Sequence, residues 1–420
     1  MSEASGAKPG RMPAGFHALT HPGYRLYFVG MLLRGTAVWM QLIGLPWLAV
    51  ELGATPFELG VVTAAQTLPF LAIAPVGGVI ADRVNRARVL TLAQIGVFLQ
   101  SIAMVGLIVS DSATIPILVV MGAISGTLIA FELPVRQTYL VDLVPPADVT
   151  SAVSLHSTAF NTTRFVGPGI AGILIATIGV QAVFATAAVF ALGVAVTILL
   201  GERSKPHQRP PATSHESIRK EFIEGARYAA GHAQIRTALL FVAAASIFAI
   251  QAFQTLAPLF VSEVLGLQGG AYGAYMAAWG AGAVVAAYVV TLLAHGDRRR
   301  WLFGGATALA ILLAILSRTT WPPLAFALAA LLGAGQIALV TNALVSVQYA
   351  VTDALRGRVL GFYTTLYQGT SPIGALFAGV LASVVGVQNA MLGGAAALGL
   401  AILVALIAGR TADEPVHAEG

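Results

Sequence analysis

The chain has 420 residues, of which 57% are hydrophobic and only 10% are charged. A soluble protein of this size needs far more charge to cover its surface, so the composition excludes an ordinary soluble globular protein and indicates a lipid environment. There is no cysteine, which excludes disulfides, thiolate metal sites and a cysteine nucleophile. The net charge of +5 does not point to nucleic acid, because the basic residues sit in short loops between apolar segments.

Twelve apolar stretches are long enough to cross a bilayer, which takes about 20 residues each. They lie at 24–50, 57–80, 88–110, 115–140, 151–176, 180–200, 237–262, 271–294, 301–317, 322–349, 358–385 and 388–409. The polar start of the chain and the length of the first stretch predict an uncleaved anchor rather than a signal peptide. We therefore predict an all-α membrane protein with twelve transmembrane helices.

The predicted spans form two groups of six. The expected domains are a tail (1–23), a first six-helix bundle (24–200), a linker (201–236), a second six-helix bundle (237–409) and a second tail (410–420). The linker starts with a proline-containing flexible part. Its second part places Ile218, Phe222, Ala226 and Ala229 on one face, as in an amphipathic helix on a membrane surface.

A weak internal repeat relates the two groups. Phe-Val-Gly-Pro-Gly-Ile-Ala-Gly at 165–172 is similar to Pro-Ile-Gly-Ala-Leu-Phe-Ala-Gly at 372–379. Chance similarity between Gly- and Ala-rich helices is the alternative explanation. Internal repeats are characteristic of secondary transporters.

The distribution of basic residues predicts the orientation. Of the 23 Lys and Arg residues, Arg318 falls in an outer loop and Arg34, Arg136 and Arg164 fall within spans, if the N-terminus is cytoplasmic. The remaining 19 lie in cytoplasmic segments or at cytoplasmic helix ends. This bias predicts that both termini are cytoplasmic.

The most distinctive motif follows the second span, in the run from Gly77 to Arg88. It comprises Gly78, Asp82, Arg83, Arg86 and Arg88. The run resembles the loop signature of the major facilitator superfamily between its second and third helices. Thr20-His21-Pro22, Gly-Leu-Pro-Trp at 44–47 and Val144-Pro145 are similar to its bacterial efflux branch, which contains the enterobactin exporter and macrolide-efflux proteins.

The resemblance covers essentially the whole chain and carries several implications. It implies two six-helix pseudo-repeat bundles, alternating access around a central cavity, and export driven by the proton gradient. It also implies that Asp82 locks one conformation by meeting the start of span eleven near Gly357, with Arg136 as a second possible partner. The expected setting is the bacterial inner membrane, with a monomeric protein, membrane lipid, a small-molecule substrate and protons as coupling ion.

Ionisable residues within the first six spans are candidates for function, because embedding a charge is costly. Glu132 and Arg136 are four residues apart on one helix face and form the candidate proton-coupling pair. Arg34 and Arg164 are candidate substrate contacts near the middle of the membrane. The alternative for each is an internal ion pair that fastens helices together. The surplus of positive charge favours substrates with an anionic or electron-rich group.

The second six spans offer uncharged groups. The substrate-cavity candidates there are Gln251, Gln254, Gln336, Asn342, Tyr363 and Tyr367. Such groups suit an amphiphilic or aromatic ligand, but hydrogen bonding between helices explains them equally well. Trp39 and Trp279 are as compatible with packing as with ligand stacking.

Nothing in the sequence indicates an enzyme. There is no Walker-type phosphate loop and no metal-ligand spacing, so we expect no cofactor and no metal. Besides proton-coupled export, two alternatives stay open: import of a metabolite, and a transport-inactive membrane receptor or partner protein.

Overall fold

The computed structural model describes residues 14–83, 85–202, 218–292, 298–352 and 355–412. At residues 14, 72–83, 218–222, 291–292, 298–299 and 408–412 it describes the backbone alone. Most of both predicted tails and the proline-containing part of the predicted linker therefore lie outside the described residues. So do the side chains of Asp82 and Arg83, and only the backbone of Gly78 is described.

All regular secondary structure in the described ranges is helical. Two short 3-10 helices, Ala14–Thr20 and Pro146–Asp148, accompany the longer helices. The first half contains α1 (Pro22–Glu51), α2 (Pro56–Arg83), α3 (Arg86–Val109), α4 (Ile115–Asp142), α5 (Val149–Thr177) and α6 (Val180–Glu202). Helix α7 (Ile218–Gly231) precedes the second half, which contains α8 (Ala233–Val264), α9 (Gly269–Leu292), α10 (Arg298–Ser317), α11 (Pro322–Ala350), α12 (Arg356–Val385) and α13 (Val387–Ala412).

Ten of these helices are long and apolar enough to cross a membrane by themselves. The other two helices of membrane length are α2, with 28 residues, and α5, with 29. Helix α5 falls below the hydropathy of its neighbours because it carries a series of Ser, Thr and Asn residues and Arg164. The predicted all-α membrane fold is confirmed, with twelve helices of membrane length in the described residues.

Local sequence signals set several helix ends. Proline occupies the first turn of α1 and α11. A backbone N–H in the first turn has no carbonyl partner within the helix, so proline, which lacks this N–H, breaks no helical hydrogen bond there. Gly179 (φ 114°) and Gly386 (φ 81°) make the tight connections after α5 and α12 in the left-handed region that other residues rarely adopt. Short connections of this kind hold successive helices antiparallel.

Because the helices run antiparallel, the bundle has two ends. We call the end that carries the start of α1, the start of α5 and helix α7 the basic face, and the opposite end the far face. The halves meet along two seams close to the far face. In one, a Cβ on Gly60 of α2 would lie 2.8 Å from the carbonyl of Ala375 in α12. In the other, a Cβ on Gly273 of α9 would lie 2.2 Å from the Cα of Gly172 in α5.

Both seams need glycine, because only a hydrogen in place of Cβ allows helix backbones to approach this closely. The aromatic rings of Trp47 in α1 and Tyr272 in α9 add a stacked contact between the halves, with 5.5 Å between ring centroids. The described contacts between the halves are thus concentrated at mid-depth and towards the far face, which is closed.

Helix α7, the amphipathic helix predicted for the cytoplasmic membrane surface, packs on the basic-face end of the second half. Gly225 faces the start of α12, where a Cβ would lie 2.7 Å from the carbonyl of Arg358. Arg358 forms an ion pair with Glu224, and Tyr228 donates a hydrogen bond to the carbonyl of Ala350 at 3.5 Å. The helix therefore braces the basic-face ends of α11 and α12.

Candidate functional site

A buried charge cluster lies at the centre of the first half. Glu132 of α4 accepts a hydrogen bond from Nε of Arg34 in α1 at 2.6 Å and forms a second ion pair with Arg136 on its own helix. The amide of Gln94 in α3 donates to the same carboxylate at 2.8 Å. Glu132 is only 2% exposed, so three helices converge on a nearly dry carboxylate.

The cluster carries more positive than negative charge. Two guanidinium groups share one carboxylate, and burial makes such an excess expensive unless water or a ligand compensates it. The Arg136 side chain also lies over the ring of Tyr27, with 5.8 Å to the ring centroid, and that aromatic face offsets part of the charge. Glu132 lies ten residues before the end of α4, about 15 Å inside the helix end.

Gln94 is a member of this cluster that sequence reasoning missed. Its side chain is fully buried, and its carbonyl oxygen has no hydrogen-bond partner among the described residues. The signal in the sequence was one of two amides, Gln94 and Gln100, in a mainly apolar helix, and such residues are common between membrane helices. Only the packing of α3 against α4 shows that Gln94 binds the Glu132 carboxylate rather than serving as an ordinary contact between helices.

The loop motif after α2 is described in part. Arg86, at the start of α3, forms an ion pair with Asp142 at the end of α4. The side chain of Asn85 accepts a hydrogen bond from the backbone N–H of Arg88 at 3.0 Å and so caps α3. These contacts hold the basic-face ends of helices within one half together. The proposed lock through Asp82 concerns a side chain outside the described residues.

A polar stripe runs along α5 and was not singled out in the sequence. It consists of Ser154, Ser157, Thr158, Asn161 and Thr162, which follow the spacing of one helix face. All are exposed or partly exposed, and Ser157, Thr158, Asn161 and Thr162 each donate a hydrogen bond to a carbonyl of their own helix. Lipid tails offer no hydrogen bonds to polar side chains, so exposing this face to lipid is unfavourable. The stripe therefore indicates a water-accessible gap between the halves on the basic-face side.

Arg164 lies one turn beyond the stripe, at the end where the gap is closed. Its guanidinium carbon is 3.9 Å from the ring centroid of Trp279 in α9 and 5.5 Å from that of Trp39 in α1. The residue is only 5% exposed, and its Nε has no hydrogen-bond partner among the described residues. Within the described part of the chain, the positive charge thus lies against aromatic faces from both halves and not against a carboxylate.

The polar candidates of the second half divide into two groups. Gln336 of α11 donates to the hydroxyl of Tyr367 in α12 at 3.1 Å, and Tyr367 is an electrostatic neighbour of Arg164. Tyr363 donates to the carbonyl of Val340, and Asn342 donates to the carbonyl of Ala338 on its own helix. Gln336 and Tyr367 therefore form one hydrogen-bonded pair between α11 and α12, and Tyr367 lies within electrostatic range of Arg164.

The remaining candidates lie elsewhere in α8. Gln251 is 5% exposed, accepts a hydrogen bond from Thr255 at 3.3 Å and packs against Gly374 of α12. Gln254, three residues further along, is partly exposed. Gln251 thus stabilises the contact between α8 and α12, whereas Gln254 keeps an accessible amide.

Two known proteins show similarity along nearly the whole chain. The staphyloferrin A transporter of Staphylococcus aureus is 26% identical over 372 residues, which cover 86% of this chain and 90% of that protein. The multidrug efflux pump Tap of Mycolicibacterium fortuitum is 25% identical over 383 residues, covering 87% and 91%.

Among solved structures, a bacterial homolog of the human lysosomal transporter Spinster, in an inward-facing and unoccupied conformation, aligns with a TM-score of 0.70. The alignment covers 96% of this chain and 98% of that one at 17% identity. The nucleoside transporter NupG aligns with a TM-score of 0.69 and 12% identity, covering 93% and 99%. These likenesses concern the fold.

The sequence profile described as a transmembrane secretion effector matches residues 14–415. The match spans all twelve helices of membrane length, both polar sites and the seams between the halves. This match and the efflux and siderophore relatives identify the chain as a transporter of small molecules and not an enzyme. They also confirm the predicted resemblance to the efflux branch. The chain belongs to the transmembrane secretion effector family of the major facilitator superfamily.

Proposed function

We propose that this protein exports small organic molecules across the bacterial inner membrane by proton antiport and alternating access. The observation that carries the proposal is the buried carboxylate of Glu132, held by Arg34, Arg136 and Gln94 from three helices. A transporter coupled to protons needs a group that titrates in a site exposed to each side in turn. Glu132 is the acidic residue of the described spans that lies farthest from any helix end.

The proposed orientation places the basic face in the cytoplasm. Lys and Arg in short loops are retained on the cytoplasmic side during insertion, and 19 of the 23 lie at this face in the proposed topology. In this orientation the polar stripe of α5 lines an opening to the cytoplasm, and the closed seams lie on the outside. That arrangement is suited to collecting a substrate from the cytoplasm.

Coupling would follow from competition for the Glu132 carboxylate. Burial favours the protonated acid, whereas the guanidinium groups of Arg34 and Arg136 favour the carboxylate. If the conformational change moves α1 relative to α4, the proton affinity of Glu132 differs between the two states. That difference is the free energy that links proton entry to substrate exit.

The positive surplus supports a substrate with an anionic or strongly electron-rich group. Away from the helix ends, the buried charges in the described spans of the first half are Arg34, Arg136 and Arg164 against Glu132. The hydrogen-bonded pair of Tyr367 and Gln336 adds an aromatic face and hydrogen-bonding groups, with Tyr367 within electrostatic range of Arg164. An aromatic carboxylate has the chemistry that this neighbourhood recognises. Among the relatives, the multidrug efflux pump Tap supports export as the direction.

The test uses proteoliposomes with an imposed proton gradient and 1-naphthoate as a fluorescent aromatic carboxylate. We expect the wild-type protein to move naphthoate against its concentration gradient, with proton flux in the opposite direction. Glu132→Gln should abolish the proton-driven component while leaving naphthoate exchange without a gradient. Glu263→Gln, at an exposed acid near the far face, is the matched control.

Two outcomes would contradict the proposal. Antiport by Glu132→Gln at the wild-type proton stoichiometry would make Glu132 structural and move coupling to Asp82, His156 or the substrate. A strong preference for a quaternary ammonium dye over naphthoate would exclude the anionic substrate class. Susceptibility profiling of a deletion strain against a panel of toxic compounds would then identify the natural substrate.

A further inference from the structure

The contact between Arg164 and the two tryptophans crosses the boundary between the halves. Arg164 and Trp39 belong to the first half, and Trp279 belongs to the second. The indole rings of Trp39 and Trp279 meet edge to face, with 6.0 Å between centroids and 63° between planes. The guanidinium lies against both, so the three side chains form one unit, which we call the aromatic latch.

The surrounding backbone is shaped to permit the latch. A Cβ on Gly280, the residue after Trp279, would lie 2.5 Å from the carbonyl of Arg164. A Cβ on Gly167, one turn after Arg164, would lie 2.5 Å from the Cβ of Trp39. Glycine at these two positions lets α5 approach both α9 and α1 closely enough for the rings to reach the guanidinium.

The charge in the latch is incompletely satisfied. Arg164 is 95% buried, its Nε has no hydrogen-bond partner, and no acidic group pairs with it among the described residues. Aromatic faces stabilise a cation less than a carboxylate does, because a carboxylate accepts two parallel N–H bonds from a guanidinium. A carboxylate that arrives along the polar stripe of α5 therefore competes with Trp279 for Arg164.

Resting on the proposed function, we infer that Arg164 is the receptor for the anionic group of the substrate, and that binding there releases the contact with Trp279. In the far-open state the two halves have separated at the far face. The ligand then has a higher affinity for this far-open state than for the closed state. A ligand shifts a conformational equilibrium only through such a difference in affinity. Occupation of the site would thereby favour opening towards the side of release.

The absence of native cysteine makes a direct test possible. Ser112→Cys and Thr320→Cys place spin labels on exposed connections at the far face, one on each half. Double electron–electron resonance between them reports the open and closed populations of the far face. The probes are 1-naphthoate, neutral 1-naphthalenemethanol and cationic 1-naphthylmethylammonium, which share one ring system.

We expect Trp279→Ala to raise the far-open population at least threefold without any probe, and Trp279→Phe to raise it less. Naphthoate should raise that population in the wild-type background, and the alcohol and the ammonium should not. Arg164→Gln should abolish the response to naphthoate, while Arg164→Lys retains a weaker one. Trp301→Ala, a partly exposed tryptophan near the basic face, is the control for loss of an indole.

The inference is overturned if Trp279→Ala and Trp301→Ala give the same distance distribution, or if naphthoate acts equally on Arg164→Gln. The measurement needs neither a proton gradient nor net flux. A protein that opens with naphthoate but shows no proton-driven export would therefore refute the proposed function and retain the latch. Normal export by the wild-type protein, together with a wild-type distance distribution in Trp279→Ala, would refute the latch and retain the proposed function.

Discussion

The two halves share a six-helix plan but differ in the polar chemistry at their centres. In the first half, Glu132 gathers Arg34, Arg136 and Gln94 into a cluster of full charges. In the second half, the comparable interior of the described residues holds neutral contacts such as the bond from Gln336 to Tyr367. Charges respond to protons and fields, whereas neutral amides and phenols mainly orient a ligand.

This difference suggests a division of labour. The first half would convert proton binding into movement, and the second half would provide a surface against which the substrate is positioned. Arg164 stands between them, because it belongs to a helix of the first half but contacts Trp279 of the second. The following variants test whether the two kinds of polar site differ in energy and in role as their chemistry predicts.

The largest effect on stability is expected from Glu132→Gln. Removing the carboxylate leaves two buried guanidinium groups with a neutral partner, and breaking a buried ion pair costs about 3–5 kcal/mol. Unfolding in dodecyl sulfate, followed by circular dichroism, measures the loss. Glu263→Gln at an exposed position should leave the unfolding transition in place. A shift below about 1 kcal/mol for Glu132→Gln would mean that water already solvates the cluster.

A smaller loss is expected from Arg34→Met. This variant removes one charge-assisted hydrogen bond but leaves Glu132 and Arg136 as a neutral pair, so the cost should be about 1–3 kcal/mol. The unfolding assay should therefore rank it between wild type and Glu132→Gln. If Arg34→Met proved the more destabilising of the two, the positive surplus would not be the dominant feature of the cluster.

In the second half, Tyr367→Phe removes the hydroxyl that accepts the bond from Gln336. In the proposed site the same hydroxyl also bonds the naphthoate carboxylate. A neutral hydrogen bond is worth about 1 kcal/mol, so we expect naphthoate affinity to fall by a factor of about five and proton stoichiometry to stay unchanged. Tyr363→Phe, one turn away on the same helix, is the matched control because its hydroxyl bonds to the carbonyl of Val340. Equal losses in both variants would remove Tyr367 from the ligand site.

The smallest effect concerns the basic face of the first half. Asp148 accepts hydrogen bonds from His21 at 2.7 Å and His17 at 3.0 Å, which hold the segment before α1 against the start of α5. The bonds from His21 and His17 keep the pKa of the Asp148 carboxyl below its usual range. A carboxyl with a lowered pKa stabilises the fold above its unfolded pKa, so the contribution disappears only as the pH falls below about 4.

A spin label at Phe16→Cys reports this contact through its mobility. We expect Asp148→Asn to increase the mobility at pH 7, and wild type to show the same increase only in acid. Asp111→Asn, on an exposed turn at the far face, is the control. An unchanged mobility in Asp148→Asn would show that the bond from the backbone N–H of Ala18 to Ser151 is sufficient to hold the segment.

Much of the fold follows from the sequence because the bilayer imposes one-dimensional constraints. Each span must be apolar for about 20 residues and helical throughout, since lipid offers no hydrogen bonds to the backbone. The expected spans and the observed helices consequently differ by a few residues at each end. The pair Glu132–Arg136 was equally accessible, because a separation of four residues places two side chains on one helix face.

The partners that come from different helices were decided by tertiary structure. Arg34 could have faced the gap or Glu132, and the packing of α1 against α4 directs it to the carboxylate. The sequence around Gln94 and Trp279 did not reveal their partners, because an amide or indole in a membrane helix has the same sequence appearance whether it packs or binds. The length and charge of each helix can be read directly from the sequence. Which face of one helix contacts which face of another depends on the rotation of each helix about its axis. That rotation is fixed only when glycine seams such as Gly172–Gly273 bring two helices together.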